Sequence, residues 1–106
     1  MVHLIEKIRN AISEEKVIFT EHGKDEADND NLNFMMIFES VYAGEIIENY
    51  PLDRPYPSCL IYGRTKENVP VHSVWGYNQE TGYTVLITVY KPDPGRWKDF
   101  RVRIKK

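Results

Sequence analysis

The stretch Gly44-Glu45-Ile46-Ile47-Glu48-Asn49-Tyr50-Pro51-Leu52-Asp53-Arg54-Pro55-Tyr56-Pro57-Ser58-Cys59-Leu60 divides this chain in two. Gly44 is a residue that ends helices, because it has no Cβ to crowd the closing turn. Glu45–Tyr50 and the run opening at Ser58 are β-like, and Pro51, Pro55 and Pro57 stiffen the link between them. A link so short and rigid makes its two strands antiparallel neighbours. Before Gly44, apolar residues recur at helical spacing; after it, they recur at every second position. The chain is therefore expected to be α+β, with two or three N-terminal helices packed on an antiparallel sheet of about four to five strands.

Residues 2–14 read as an amphipathic helix, with Leu4, Ile5, Ile8, Ala11 and Ile12 on one face and Glu6, Lys7, Arg9 and Asn10 opposite. Lys16–Thr20 is a short β-like run, and Thr20 can cap a helix beginning just after it. Residues 21–30 are acidic with almost no apolar anchor, either a short exposed helix or a loop. Asn31 or Asn33 then caps a helix over 34–43, with Phe34, Ile37, Phe38 and Val41 on its buried stripe. Strands are expected at 45–50, 58–64, 70–77 and 83–90. From Pro92 onward, Trp97 and Phe100 can anchor a short helix, or Arg101-Val102-Arg103-Ile104 can form an edge strand.

At 106 residues, the chain has room for one domain over 1–106. The single Cys59 excludes an internal disulfide framework, which favours a reducing, cytoplasmic setting. No apolar run reaches the length of a membrane span, and the N-terminus lacks the apolar core of a secretion signal. Charge is unevenly spread. Residues 91–106 hold seven Lys or Arg against two Asp, whereas the first ninety hold seven basic and fourteen acidic groups. A basic end of this kind suits phosphate contact or an acidic partner, and equally suits a terminus folded back on an acidic body.

Strand pairing places chemistry on one face. If the 65–69 turn pairs Arg64 with Pro70, Tyr62 lies opposite His72 and Leu60 opposite Val74. If the 78–82 turn pairs Tyr77 with Tyr83, His72 lies opposite Thr88 and Pro70 opposite Tyr90. Tyr62, Arg64, His72, Thr88 and Tyr90 then share one face, while Ile61, Val71, Ser73, Trp75, Val85, Ile87 and Val89 face the helices. The polar set has the types that RNA cleavage uses. The substrate supplies its own 2′-hydroxyl; the protein supplies an acid, a base and a cation for the phosphate. Tyrosine rings can stack on a splayed base. The plainer reading makes His72 a structural histidine among half-buried tyrosines.

Other signals are less specific. His22 opens the acidic segment as a second histidine, catalytic or merely bonded to backbone. His22 and Glu26 stand four apart, as two metal ligands would, yet no third ligand of fixed spacing comes after them, so neither metal nor cofactor is expected. Cys59 between apolar neighbours reads as a buried, inert thiol. Arg54, beside Asp53 in the proline turn, is either a phosphate or carboxylate clamp or part of a simple surface turn.

Phe19-Thr20-Glu21-His22, the 44–60 stretch, Gly63-Arg64-Thr65, Pro70-Val71-His72, and Ile87-Thr88-Val89-Tyr90-Lys91-Pro92-Asp93-Pro94 with Trp97 together resemble the domain of unknown function 4258 family, over roughly residues 17–100. The resemblance implies a helices-then-sheet layout similar to RelE-like and BrnT-like toxins, which cleave messenger RNA. It also implies a prokaryotic toxin–antitoxin setting, with a small zinc-ribbon antitoxin-like protein as partner. By that analogy His22, His72, Arg64 and Tyr90 line the catalytic site. The polar strip, the proline turn and the basic tail add Arg54, Tyr62, Thr88, Arg96, Lys98 and Arg101 as the expected contacts to single-stranded RNA. The chain departs from the family pattern at 22–31. The family carries a basic helix and an Arg-Gly-Ile-Ser turn there; this chain has Gly23-Lys24-Asp25-Glu26-Ala27-Asp28-Asn29-Asp30. Two functions are therefore expected in competition: a metal-independent RNA-cleaving or RNA-binding protein, and a non-enzymatic protein-interaction module.

Overall fold

Three helices cover one face of a five-stranded sheet in a computed structural model, which describes residues 3–105. Val2, where the first helix was expected to begin, and Lys106, the end of the basic tail, lie outside the described residues. Helix α1 spans Leu4–Ser13, β1 Val17–Phe19, α2 Glu21–Asn29 and α3 Phe34–Tyr42. Strands β2 Glu45–Tyr50, β3 Ser58–Arg64, β4 Pro70–Tyr77 and β5 Thr84–Tyr90 come next, then a two-stranded ribbon of β6 Trp97–Lys98 and β7 Val102–Arg103. The main sheet has the order β1-β5-β4-β3-β2. Four of its strands are antiparallel neighbours, and β1 joins the β5 edge in parallel. The α+β reading holds, with three helices; the parallel edge strand makes the sheet mixed.

The helix starts are set by side-chain chemistry. Thr20 accepts a bond from the Gly23 amide at 2.9 Å and donates to the Leu86 carbonyl at 2.9 Å, so one hydroxyl both caps α2 and ties it to β5. The acidic 21–30 segment is thus a helix, resting on buried Gly23 and Ala27. Asn33, rather than Asn31, caps α3 by accepting from the Met36 amide at 2.8 Å. Arg9 of α1 donates to the Val41 carbonyl at 3.2 Å and the Gly44 carbonyl at 2.9 Å, placing a cation on the negative end of α3.

Ile8, Ile12, Ile37, Val41, Ile61, Val71, Trp75, Leu86 and Val89 form the core between helices and sheet. Two glycines let α3 and β3 approach backbone to backbone. A Cβ on Gly63 would stand 1.7 Å from the Ser40 carbonyl oxygen, and one on Gly44 would stand 2.4 Å from it.

The β3–β4 register is the expected one: Arg64 opposite Pro70, Tyr62 opposite His72, Leu60 opposite Val74. The β4–β5 register is not. Tyr77 pairs with Thr84, because the connecting loop takes in Tyr83, and His72 pairs with Tyr90 rather than Thr88. The extra loop residue inverts the faces of 84–86, so Leu86 and Thr84 are buried where Val85 and Ile87 were expected. A bulge past Leu86 then restores the alternation, returning Thr88 and Tyr90 to the His72 side. A second bulge, at Ile47 of β2, puts Glu45 opposite Tyr62 and Glu48 opposite Leu60. Two glutamates three residues apart therefore share the outer face, which plain alternation forbids.

Candidate functional site

The outer face of the sheet carries Tyr62, His72 and Tyr90 side by side, but the C-terminal ribbon lies over them. His72 is fully buried. Its Nε2 contacts the Phe100 carbonyl oxygen at 2.7 Å and its Nδ1 the Tyr90 hydroxyl at 3.2 Å. A neutral imidazole satisfies both: Nε2–H donates to the carbonyl, and Nδ1 accepts from the tyrosine. Trp97 closes the other side, its ring edge-on to the imidazole at 4.5 Å between centroids. Burial pushes the His72 pKa below its ordinary value, opposed by the Phe100 bond and by the charge of Glu48. Burial likewise pushes the Tyr90 hydroxyl up. His72 thus holds the ribbon through the Phe100 carbonyl, and Tyr90 fixes the imidazole from the other side.

Ion pairs complete the fastening. Arg103 grips Glu48 through two bonds, Nε to Oε2 at 2.8 Å and Nη2 to Oε1 at 3.1 Å, while Tyr50 also donates to that carboxylate. The Arg103 bond is the main reason the Glu48 carboxyl is held below its usual range. Arg101 pairs with Glu45 through a single bond, from its Nε to Oε1. The Tyr50 hydroxyl is pushed up to about 12, chiefly by burial and then by its bond to Glu48. The two glutamates that the β2 bulge brings to this face are therefore the anchors of the two ribbon arginines. Arg101 also lies over the Tyr62 ring at 4.9 Å and Arg103 over the Trp97 ring at 4.6 Å.

Two clefts flank the ribbon. One, of about 500 Å³, is lined by Tyr62, Arg64, Lys98, Phe100 and Arg101. The other, of about 750 Å³, is lined by Tyr90, Lys91, Asp93, Arg96, Trp97 and Arg103. Arg96 leans toward Asp93 at 3.9 Å, which offsets part of the charge there. Tyr62 and Trp97 are buried, so these clefts show few bare ring faces on which a base can stack.

The expected site residues do not all meet. Arg64, Lys98 and Arg101 border one cleft, Tyr90 and Arg96 the other, with His72 sealed between them. Thr88 shares their face, opposite Val74. His22 does not join them. It lies on α2, in the helix layer across the sheet, two-thirds exposed, with Nε2 4.0 Å from Glu26. None of the groups around the His72 ring comes from α2. Arg54 is also apart: it is exposed in the proline turn at the Ser58 end of β3, whereas Arg64 ends that strand about 20 Å away. In that turn Asp53 accepts from the Ser58 hydroxyl at 2.5 Å, so its acid serves the hairpin. Cys59 is buried, and burial pushes its thiol up to about 12.

A third feature was not anticipated from the sequence. Phe34 was expected on the buried stripe of α3, yet it is 43% exposed, beside Met35 at 67% and Tyr42 at 46%. Phe34 stacks on Phe19 at 4.2 Å, and with Met35, Phe38 and Tyr42 it walls a groove of about 720 Å³. Arg64 and Lys66, at the β3–β4 turn, form the far bank. The signal was present: Phe34-Met35-Met36-Ile37-Phe38 is five apolar residues running, and a helix on a sheet can bury only part of its circumference.

The fold and site define an α+β protein whose outer sheet face is strapped by its own C-terminal ribbon. The family profile described as Domain of unknown function (DUF4258) matches residues 19–91, most of the chain, and the protein belongs to that family. No curated protein and no solved structure matches this chain significantly. No helix among the described residues is long and apolar enough to cross a membrane.

Proposed function

We propose that this protein is a non-enzymatic interaction module that docks another protein. The apolar groove along α3 carries this reading. Phe34, Met35, Phe38 and Tyr42 stand together on one helix face with no covering element among the described residues, and contiguous exposed apolar surface on a small protein marks an interaction site. The cleavage reading asks for an acid, a base and a cation around one phosphate. With His72 bonded through both ring nitrogens and His22 on the helix layer, that constellation is not assembled. The zinc-ribbon partner implied by the resemblance is a candidate for the docking role within a prokaryotic toxin–antitoxin-type pair. Residence in a reducing cytosol belongs to the same reading, supported by the lone buried thiol of Cys59.

A photo-crosslinking residue at Met35 of the full-length chain, in its native host, tests the proposal. Position 35 is expected to give one discrete protein adduct, and position 79, at the far end of β4, none. No adduct at 35, or the same adducts at both, overturns it.

A second reading, RNA contact without cleavage, rests on the cations that line the two ribbon clefts. Binding of a single-stranded oligonucleotide would then fall steeply with salt, by counterion release, and would weaken in Lys98→Glu. Affinity that ignores salt, or no affinity at low salt, removes that reading.

A further inference from the structure

We infer that the α3 groove receives a helix from a different chain, one with an apolar stripe and acidic residues along one flank. This rests on the docking reading above and adds the form and charge of the occupant.

The form is dictated by the backbone. The groove lies between α3, whose amides and carbonyls bond within the helix, and the end of β3 with its turn, where β4 pairs Arg64 with Pro70 and β2 no longer reaches. The Thr65 and Lys66 amides of that turn already donate to the Val69 carbonyl and the Glu39 carboxylate, so an added strand would find little backbone to pair with there. An occupant must satisfy its own backbone hydrogen bonds while presenting side chains, and a helix does both. The wall fits one: Phe34, Phe38 and Tyr42 recur every fourth residue, a ridge about 12 Å long, or rather more than two turns.

The charge is dictated by the opposite bank. Arg64 is held in place by donating to the Asn68 carbonyl at 3.1 Å and by lying over the Phe100 ring at 5.5 Å. Among the described residues, neither Arg64 nor Lys66 has an acidic partner. The single acid of the groove, Glu39, is turned to the protein itself, accepting from the Lys66 amide at 3.1 Å. A helix with Asp or Glu facing this bank gains complementary charge along with apolar burial.

A second copy fits less well. Two α3 faces meeting antiparallel about a two-fold axis perpendicular to the helices would bring two Arg64–Lys66 banks together. The acidic helix α2 has already buried its small apolar positions, Gly23 and Ala27, against the sheet. It has no stripe left to offer a neighbour's groove.

The test uses the full-length chain and two synthetic helical peptides of about three turns with the same leucine stripe, one flanked by Glu and one by Lys, read by fluorescence anisotropy. The Glu peptide is expected to bind at least tenfold tighter than the Lys peptide. Met35→Glu is expected to weaken the Glu peptide at least tenfold, and Lys66→Glu to reduce the preference between the two. Met35 and Lys66 are exposed, so neither change threatens folding; circular dichroism checks this. Equal binding, preference for the Lys peptide, or indifference to Met35→Glu overturns the inference. So does a stable dimer in sedimentation velocity that Met35→Glu dissolves. Binding of neither peptide also overturns it. With the position-35 crosslink still formed, only the nature of the occupant has failed; without it, the docking reading has failed too.

Discussion

His72 behaves as a fastener because a neutral imidazole is one donor and one acceptor, and the fold supplies one partner for each. Protonation would set a second N–H against a site that offers Nδ1 only a hydroxyl, within a buried pocket. The sign of the pH dependence is fixed by this. A free histidine titrates near 6.5, and the fold depresses this value, so the unfolded chain binds the proton more readily. The stabilisation is complete above about pH 6.5 and is lost as pH falls through that value toward the depressed one. Glu48 acts in the same direction at lower pH: its carboxyl is depressed too, so its share is lost below the ordinary carboxylate range, about 4.3. His72→Gln is expected to cost about 1–3 kcal/mol at pH 8 in urea unfolding, through lost packing and an orphaned carbonyl. It should also flatten the decline between pH 7 and 5. An unchanged decline would mean another group titrates there. The residue type and its position on the outer face were legible in the sequence. Its burial was not, because the residues that cover it come from beyond the sheet, at Trp97 and Phe100.

At the scale of elements, hairpin chemistry was the most readable part and its exceptions the least. The β3–β4 register came from a short turn and two strands of matched alternation. The β4–β5 register failed by one loop residue, and a bulge further along then cancelled the parity error for Thr88 and Tyr90. A bulge is an insertion that improves packing elsewhere, so local alternation does not announce it. Here the extra loop residue brings Leu86 rather than Val85 into the core, against α2, and the bulge returns the rest of β5 to its expected faces. The α3–β3 contact is equally non-local. Gly63 reads as an ordinary strand residue until the Ser40 carbonyl arrives from the helix. Gly63→Ala is therefore expected to destabilise by about 3 kcal/mol or more, since backbone rather than a flexible side chain must move. A urea midpoint lowered with an unchanged slope would show this; a shift under about 0.5 kcal/mol would refute the close approach.

For the whole molecule, the ribbon and the main sheet have different grounds for stability. The sheet is buried against helices by Trp75, Leu86, Ile37 and their neighbours. The ribbon rests on His72, Trp97 and two ion pairs whose arginines are largely exposed. Exposed pairs contribute little, because water and salt screen them and two long side chains must be held still, so the ribbon is expected to open on its own. Hydrogen exchange should release the Ile104 amide, bonded to the Arg96 carbonyl, well before the β4 and β5 amides. Arg103→Gln should speed that amide several-fold while moving global unfolding much less. Simultaneous exchange of ribbon and sheet would show one cooperative unit instead.

Local chemistry was enough to set the elements, because caps, prolines and apolar periodicity act within a few residues: helices before Gly44, strands after it, and tyrosines with a histidine on one strand face. Tertiary packing set what those elements can do. It laid a C-terminal ribbon over His72, left His22 on the far layer, and left one apolar side of α3 exposed. Each outcome depends on which surfaces meet, and contacts between residues tens of positions apart are set by the packing of the whole chain, which no local pattern encodes.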